Sequence, residues 1–394
     1  MSRAIDQNGN MFDLLRYTRL ELKELSKNKY YCIECKQRLI LKVGNQNRPH
    51  FAHRSSVKKE DLIGESNHHK RATNLLYNHF KKQGIKTFKE YYIPEIKQRP
   101  DIVLFFNKKI YALEFQSSKI NKKTFINRTI NLIKAGYTPI WLLSSRLLIM
   151  KGQFQIKITP FILQFIHQFT SNSPPKLFFF NPEKQEVIIL KHLIVISQDY
   201  AYVQKEVINL QALTLKKIKK TSKLNINLLF KIWKNEKYQY RTLVRGHSYG
   251  SEYKWRLWLY DKNLHFENLP SIIYLPTREN YYFKVPSWNW QSRLYLKILH
   301  PLKINESFSY NECLFHLNKY IIPHSNFPLI KHKTNPLLNY LKLLTHLQII
   351  KPIAHNKYIK IKNVLMHKDL QESLNSDDDI INQLLYNLIG RTKI

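Results

Sequence analysis

The stretch Arg99-Pro100-Asp101-Ile102-Val103-Leu104-Phe105-Phe106-Asn107-Lys108-Lys109-Ile110-Tyr111-Ala112-Leu113-Glu114-Phe115-Gln116 decides the reading of this chain. Asp101 opens one apolar, β-prone run (101–106), and Glu114 lies near the end of a second (110–116). The polar Asn107-Lys108-Lys109 between them suits a tight hairpin turn. Folding there lays the strands antiparallel, so an acid early on one meets an acid late on the other. Two carboxylates converging at a sheet edge make a hard-oxygen site of the kind Mg²⁺ or Mn²⁺ takes. Gln116 shares the side of Glu114, because side chains alternate along a strand, and is placed to orient a water or a phosphate oxygen.

The neighbouring sequence supplies a frame for this hairpin. Ala72, Leu75, Leu76, His79 and Phe80 recur at helical spacing, and Gly84 stops the pattern. A strand is expected at 88–93. A second helix is expected at 121–135, with Phe125, Ile126, Ile130 and Ile133 as its apolar face and Gly136 as its stop. Pro139-Ile-Trp-Leu-Leu143 then reads as a buried strand. Helix, three-strand meander, helix, strand is a compact α/β core. Glu65 and His69, four residues apart at the start of the first helix, share a face that a packed helix would aim at the strand acids. Lys119, Lys122, Lys123 and Arg128 follow the hairpin and supply positive charge near it.

Residues 160–170 read as one more helix, and the polar Ser171-Asn172-Ser173-Pro174-Pro175 after it as a domain boundary. Three parts result: 1–59, 60–172 and 173–394, the last a basic, aromatic-rich α+β domain. Within it, 177–180 and 187–190 form a hairpin, and Asn335-Pro336 caps a helix bearing Leu337, Leu338, Leu341, Leu344 and Leu347. Ser376 with Asp377, Asp378 and Asp379 opens a final helix, the acids sitting where a helix dipole favours negative charge. Tyr238, Tyr240, Tyr253, Trp255 and Trp258 are either bases' stacking partners or core.

The chain has 394 residues, with 64 Lys and Arg against 28 Asp and Glu, a net charge of +36. A charge that large calls for a polyanion partner, nucleic acid first and an anionic membrane surface second. A hydrophobic content of 43% excludes a disordered chain. No run of 18 apolar residues is present, so no membrane insertion is expected, and the first residues lack the apolar core of a signal peptide. Three cysteines form no disulfide framework and fit a reducing cytoplasm.

Two of those cysteines belong to a second pattern. Cys32-Ile-Glu-Cys35 is followed after fourteen residues by His50-Phe-Ala-His53. Two thiolates and two imidazoles are the ligands of a closed, structural Zn²⁺ site. The spacing suggests His50 and His53 on one side of a helical turn. Zinc would then hold together a segment too small for its own core. The alternative is scattered Cys and His, the cysteines packed as small buried residues.

Taken together, Arg99-Pro-Asp101, Leu113-Glu-Phe-Gln-Ser-Ser118, Glu65-Ser-x-x-His69, the Cys-x-x-Cys, His50-Phe-Ala-His53 and Arg128-Thr129 before Ile140-Trp-Leu-Leu143 resemble the competence protein CoiA family. Its central domain is similar to the PD-(D/E)xK nuclease superfamily. The resemblance implies a restriction-endonuclease-like α/β core, a central mixed sheet flanked by helices. It implies that Asp101 and Glu114 hold Mg²⁺, with Glu65 as the helix acid and Gln116 where the superfamily's pattern has Lys. His69, Lys119 and Arg128 would contact DNA or support the ligands. The implied function is DNA cleavage during natural transformation, on single strands or recombination intermediates and alongside recombination proteins. The alternative is a recombination mediator that keeps the fold and binds DNA without cutting it.

Overall fold

The structure, a computed structural model, describes residues 3–33, 36–44, 49–53, 67–196, 199–243, 250–331 and 335–390. The chain divides into two compact units, Met1–Ser66 and Asn67–Ile394.

The first unit is a five-stranded sheet, with strand order β2-β1-β3-β4-β5. Its elements are β1 (Arg3–Asp6), β2 (Met11–Asp13), α1 (Arg19–Leu25), β3 (Tyr30–Tyr31), β4 (Arg38–Lys42) and β5 (His50–His53). Thr18 and Glu21 close a capping box on α1. In β4, Leu39 and Leu41 point inward while Arg38, Ile40 and Lys42 point out, the period-two pattern of a half-buried strand. Leu39 and Leu41 pack with Ala4, Leu14, Leu22, Tyr30, Cys32 and Phe51. This segment therefore has a hydrophobic core of its own, contrary to the expectation from its length. His50-Phe-Ala-His53 is also not a helical turn. It is a strand, held by antiparallel pairing from Lys42↔His50 to Leu39↔His53, with Phe51 buried.

The second unit begins with α2 (Asn67–Lys82) and β6 (Lys86–Lys89), then β7 (Ile102–Phe106), β8 (Lys109–Gln116), α3 (Lys122–Lys134) and β9 (Tyr137–Ser144). It continues through β10 (Gln155–Lys157), α4 (Pro160–Leu163), β11 (Lys176–Asn181), β12 (Glu186–Val195) and β13 (Tyr200–Asn209). These strands form one mixed eight-stranded sheet, ordered β10-β13-β12-β11-β9-β8-β7-β6. Only β8 with β9 and β9 with β11 run parallel. Helix α2 buries Ala72, Leu76 and Phe80 on one face, against Leu104, Leu113, Phe115 and Leu142. Helix α3 covers the other face, Phe125 against Trp141 and Leu143, Leu132 against Ala112. Each such fully buried Leu or Phe contributes about 1.5–3 kcal/mol of apolar burial. The expected mixed sheet flanked by helices is what the chain builds.

Local differences have local causes. The strand expected at 88–93 is β6, earlier and shorter, because Glu90 turns at φ +50° and Pro94–Ile96 forms a 3-10 turn. The helix expected at 160–170 is only the single turn of α4. His167 and Lys176 exchange backbone hydrogen bonds at 2.8 and 2.9 Å, pulling the chain into a turn. The Ser171–Pro175 stretch is thus the connection into β11 of the same sheet, and the sheet continues past it to Asn209.

The remainder holds α5 (Leu215–Lys219), α6 (Ile226–Thr242), α7 (Gly250–Tyr260), α8 (Ser287–Leu294), β14 (Ser307–Ser309), α9 (Tyr310–Leu317), α10 (Pro336–His346), β15 (Ile350–Ala354), β16 (Lys357–Lys360) and α11 (Leu370–Gly390). Asn335 caps α10 as expected, its side chain accepting from the Leu337 N–H at 2.9 Å. The reading of Asp377, Asp378 and Asp379 as caps is corrected. Asp369 receives the Glu372 N–H at 2.8 Å near the start of α11, and the three acids lie mid-helix. Asp377 is 4% exposed and accepts from Lys237 Nζ at 2.6 Å and from Arg241 Nε and Nη2, both at 2.9 Å. Burial pushes its carboxyl up, but the two cations outweigh this and hold it at about 2. Asp378, its neighbour, pairs with Lys234 in an exposed bridge.

Trp255 and Tyr240 are core residues, buried with Trp233, Trp288 and Trp290, so they are not free to stack on bases. Tyr238 and Tyr253 remain exposed, at 55% and 51%. Trp258 is half-buried beneath the Arg293 guanidinium, 4.2 Å from its ring centre. Among the described residues, no helix is long and apolar enough to cross a membrane.

Candidate active site

The site is built on the β7–β8 hairpin. Asn107 and Lys108 take φ +48° and +58°, the left-handed pair of a two-residue hairpin turn that matches strand twist. The register runs from Phe106↔Lys109 to Ile102↔Leu113. Asp101 stands just before β7 and Glu114 just after the last residue of β8 that pairs with β7, so the two acids share one end of the hairpin.

The two acids differ in environment. Asp101 is half-buried. Its Oδ2 accepts the Phe115 backbone N–H at 2.7 Å, and its Oδ1 lies 3.2 Å from His69 Nε2. Glu114 is 4% exposed, and its Oε1 accepts from Arg128 Nη2 at 2.7 Å. Burial pushes the Glu114 carboxyl up to about 7; the Arg128 guanidinium opposes the shift and the Asp101 charge adds to it. A carboxyl poised near neutrality is a common property of active sites. Arg128 reaches Glu114 from α3, its guanidinium 5.8 Å from the Trp141 ring centre.

The first turn of α2 docks on the same sheet end. The rings of His68 and His69 both lie 5.7 Å from that of Phe115. His68 is a clasp: Nε2 lies 2.9 Å from Ser144 Oγ at the end of β9, and Nδ1 3.0 Å from Glu183 Oε1. Arg146 donates to the same Glu183 oxygen at 3.0 Å. Ser144 is fully buried, so this Ser-His-Glu chain holds the helix start in place and offers no nucleophile to solvent. His68, Ser144 and Glu183 escape sequence reasoning because 115 residues separate the ends of the clasp. The only hint was a second histidine beside His69.

The other expected residues are less assembled. Gln116 turns its amide to Ser118 O at 2.8 Å. Lys119 is exposed in the loop before α3. Glu65, Cys35 and the side chain of His53 lie outside the described residues. Cys32 is buried, at the start of a turn in which Lys36 N–H donates to Cys32 O at 3.0 Å. Among the described residues, no group of three or more His, Cys, Asp or Glu is arranged to hold a metal ion. The donors at the hairpin are therefore two carboxylates, with a guanidinium already on one.

Three family models match the chain in order. The competence protein CoiA N-terminal domain matches residues 14–58, the CoiA nuclease-like domain 65–223 and the CoiA C-terminal domain 230–374. The competence protein CoiA of Bacillus subtilis (strain 168) is 27% identical over 278 residues, covering 70% of this chain and 73% of that protein. No solved structure gives a significant match.

Proposed function

The chain belongs to the competence protein CoiA family, and on that premise we propose that it cleaves DNA phosphodiesters with Mg²⁺ or Mn²⁺, acting on DNA taken up during natural transformation. The observation that carries this reading is the closeness of Asp101 and Glu114 at the end of the β7–β8 hairpin, where Asp101 accepts the Phe115 N–H and its charge acts on Glu114, inside the nuclease-like domain. The donors fit a hard divalent cation in kind: two carboxylates, one fixed by the Phe115 N–H and His69, with Glu65 as a further acid. When bound, such a cation polarises a phosphate oxygen and acidifies a water. His69 and the Phe115 amide keep Asp101 oriented. Arg128 neutralises Glu114, and a cation or a substrate phosphate competes for that partnership. The charge of +36 suits a DNA-bound state.

A second reading rests on one observation and on one expectation from the resemblance. Arg128 occupies Glu114, and the resemblance would put Gln116 where the superfamily's pattern has lysine. Both fit a recombination mediator that binds single strands and does not cut. Zinc at Cys32, Cys35, His50 and His53 belongs to the same proposal, as a structural ion for the first unit.

The deciding experiment incubates the purified full chain with labelled single-stranded, duplex and branched DNA, with and without Mg²⁺ or Mn²⁺. Metal-dependent cleavage lost in Asp101→Ala and in Glu114→Ala supports the enzyme. Binding of DNA with no cleavage of any form leaves the mediator.

A further inference from the structure

A cavity of about 620 Å³ lies within the second unit, where the sheet meets the C-terminal helices, and none of its lining residues belongs to the Asp101–Glu114 cluster. Three irregular places shape it. One is the Ser171–Pro175 turn. The second is a bulge in β12 between Lys191 and Ile194, with His192 at φ +54°; such bulges re-aim a side chain. The third is Glu279, at φ +56°.

Its chemistry has two poles. Arg278 and Lys342 line the cavity, both exposed, and neither has an ion-pair partner among the described residues. The positive potential is felt by His192, whose imidazole is held down at about 4 by burial and by Arg278, Lys191 and Lys176. Opposed to these cations are acceptors. Gln168, 3% exposed on the cavity wall, donates from Nε2 to Ser173 O at 3.1 Å. That bond fixes the amide's orientation, and its Oε1 is buried without a partner. Glu279, also largely buried, accepts from Asn339 Nδ2 at 2.5 Å; burial pushes its carboxyl up to about 7, although Arg278 and Lys342 both pull it down. Leu224, Leu338 and Pro174 add apolar wall.

A simple anion would satisfy Arg278 and Lys342 but leave Gln168 Oε1 unpaired. A simple cation would meet Arg278 and Lys342. A ligand with an anionic group at one end and N–H donors on an apolar plane at the other answers both poles. We propose that this cavity binds a nucleoside phosphate, the phosphate on Arg278 and Lys342 and the N–H groups of the base edge toward Gln168 and Glu279. The same chemistry is presented by a free nucleotide and by the terminal nucleotide of a single strand. This site is separate from the proposed cleavage site and does not depend on a metal.

The test measures binding to the full-length protein by calorimetry with dAMP, dCMP, dGMP, TMP and inorganic phosphate, and with a short single strand carrying or lacking a terminal phosphate. Saturable binding of a free nucleotide identifies one source; binding only of the phosphorylated strand identifies the other. The double variant Arg278→Ala/Lys342→Ala, both on the surface, should weaken binding by about tenfold or more, as expected for lost charge-assisted contacts. Gln168→Leu should flatten the preference among bases. Because Gln168 also holds the Ser173 turn, Leu338→Trp, which fills the cavity, serves as a second block. Asp101→Ala and Glu114→Ala should bind as the wild type does, which separates this proposal from the cleavage reading. Binding of neither free nucleotides nor phosphorylated strand, binding indifferent to Arg278 and Lys342, or inorganic phosphate binding as tightly as nucleotides would each overturn it.

Discussion

Replacing Asp377 by Ala should be among the most destabilising single changes in the second unit. Its carboxylate is the shared acceptor of Lys237 and Arg241, whose side chains are each 1% exposed. Removing it leaves two buried cations facing backbone carbonyls alone: Ser271 O for Lys237, and Glu267 O and Leu269 O for Arg241. Breaking a buried pair from one side costs about 3–5 kcal/mol, mostly the penalty of the stranded charge. Asp378→Ala, one residue on, removes an exposed bridge to Lys234 and should cost about 1 kcal/mol or less. Urea unfolding followed by tryptophan fluorescence is the natural assay, since Trp233, Trp255, Trp288 and Trp290 lie in the same core. The pH dependence has a defined sign. Asp377 is depressed to about 2 from an ordinary 3.8, so its contribution is fully present above about pH 4 and is lost as pH falls through about 2. Burial holds Lys237 down at about 8 even with Asp377 pulling it up, so in the variant, without that pull, the lysine sheds its proton more readily still, while Arg241 cannot. The deficit should therefore shrink as pH rises toward about 8 and stay constant above it. A loss below about 1 kcal/mol for Asp377→Ala, or one equal to that of Asp378→Ala, would refute the reasoning.

Other outcomes follow from the same geometry. Metal-dependent cleavage should rise with pH through about 7, because Glu114 must lose its proton to bind a cation and its pKa is raised; a rate flat across that range would contradict this assignment. His68→Ala should cost about 1–3 kcal/mol by leaving the buried Ser144 hydroxyl with the Arg146 N–H alone, and hydrogen exchange should show the start of α2 loosening first. Tyr238→Ala and Tyr253→Ala should each weaken single-strand binding by about 1–3 kcal/mol if they stack on bases, without altering stability. Elemental analysis of chelator-washed protein should find one zinc per chain, lost in Cys32→Ser.

The hairpin was legible because three local signals agreed: two β-prone runs, a turn of the right length and an acid at each matching end. The helix faces of α2 and α3 were legible for the same reason, their apolar residues recurring at the helical period. Arg128 was seen as a nearby positive charge, but its position on Glu114 depends on how α3 crosses the sheet. Asp377 misled because a run of acids after Ser376 has the composition of a cap. Its partners lie on a helix some 140 residues away in the chain. Trp255 and Tyr240 stand in a basic, aromatic stretch whose composition is the same whether its rings face a core or a nucleic acid, and only the packing decides.

The strand order also dictates where this chain can be cut. Strand β9 carries Ile140, Trp141, Leu142 and Leu143, all essentially inaccessible, and it is flanked by β8 on one side and β11 on the other. A fragment ended at the Ser171–Pro175 turn would lose β11, β12 and β13 together. Strand β9 would then lose the β11 partners of Leu143 and Ser144 and become an open, apolar edge at that end, the kind of surface on which chains stick to one another. It carries no Lys, Glu or other charge to discourage such pairing, and its one proline, Pro139, lies at the far end from the lost partner. A soluble nuclease-like fragment must therefore run past Asn209, and a protease nick in that turn would open a route to aggregation that the whole chain keeps closed.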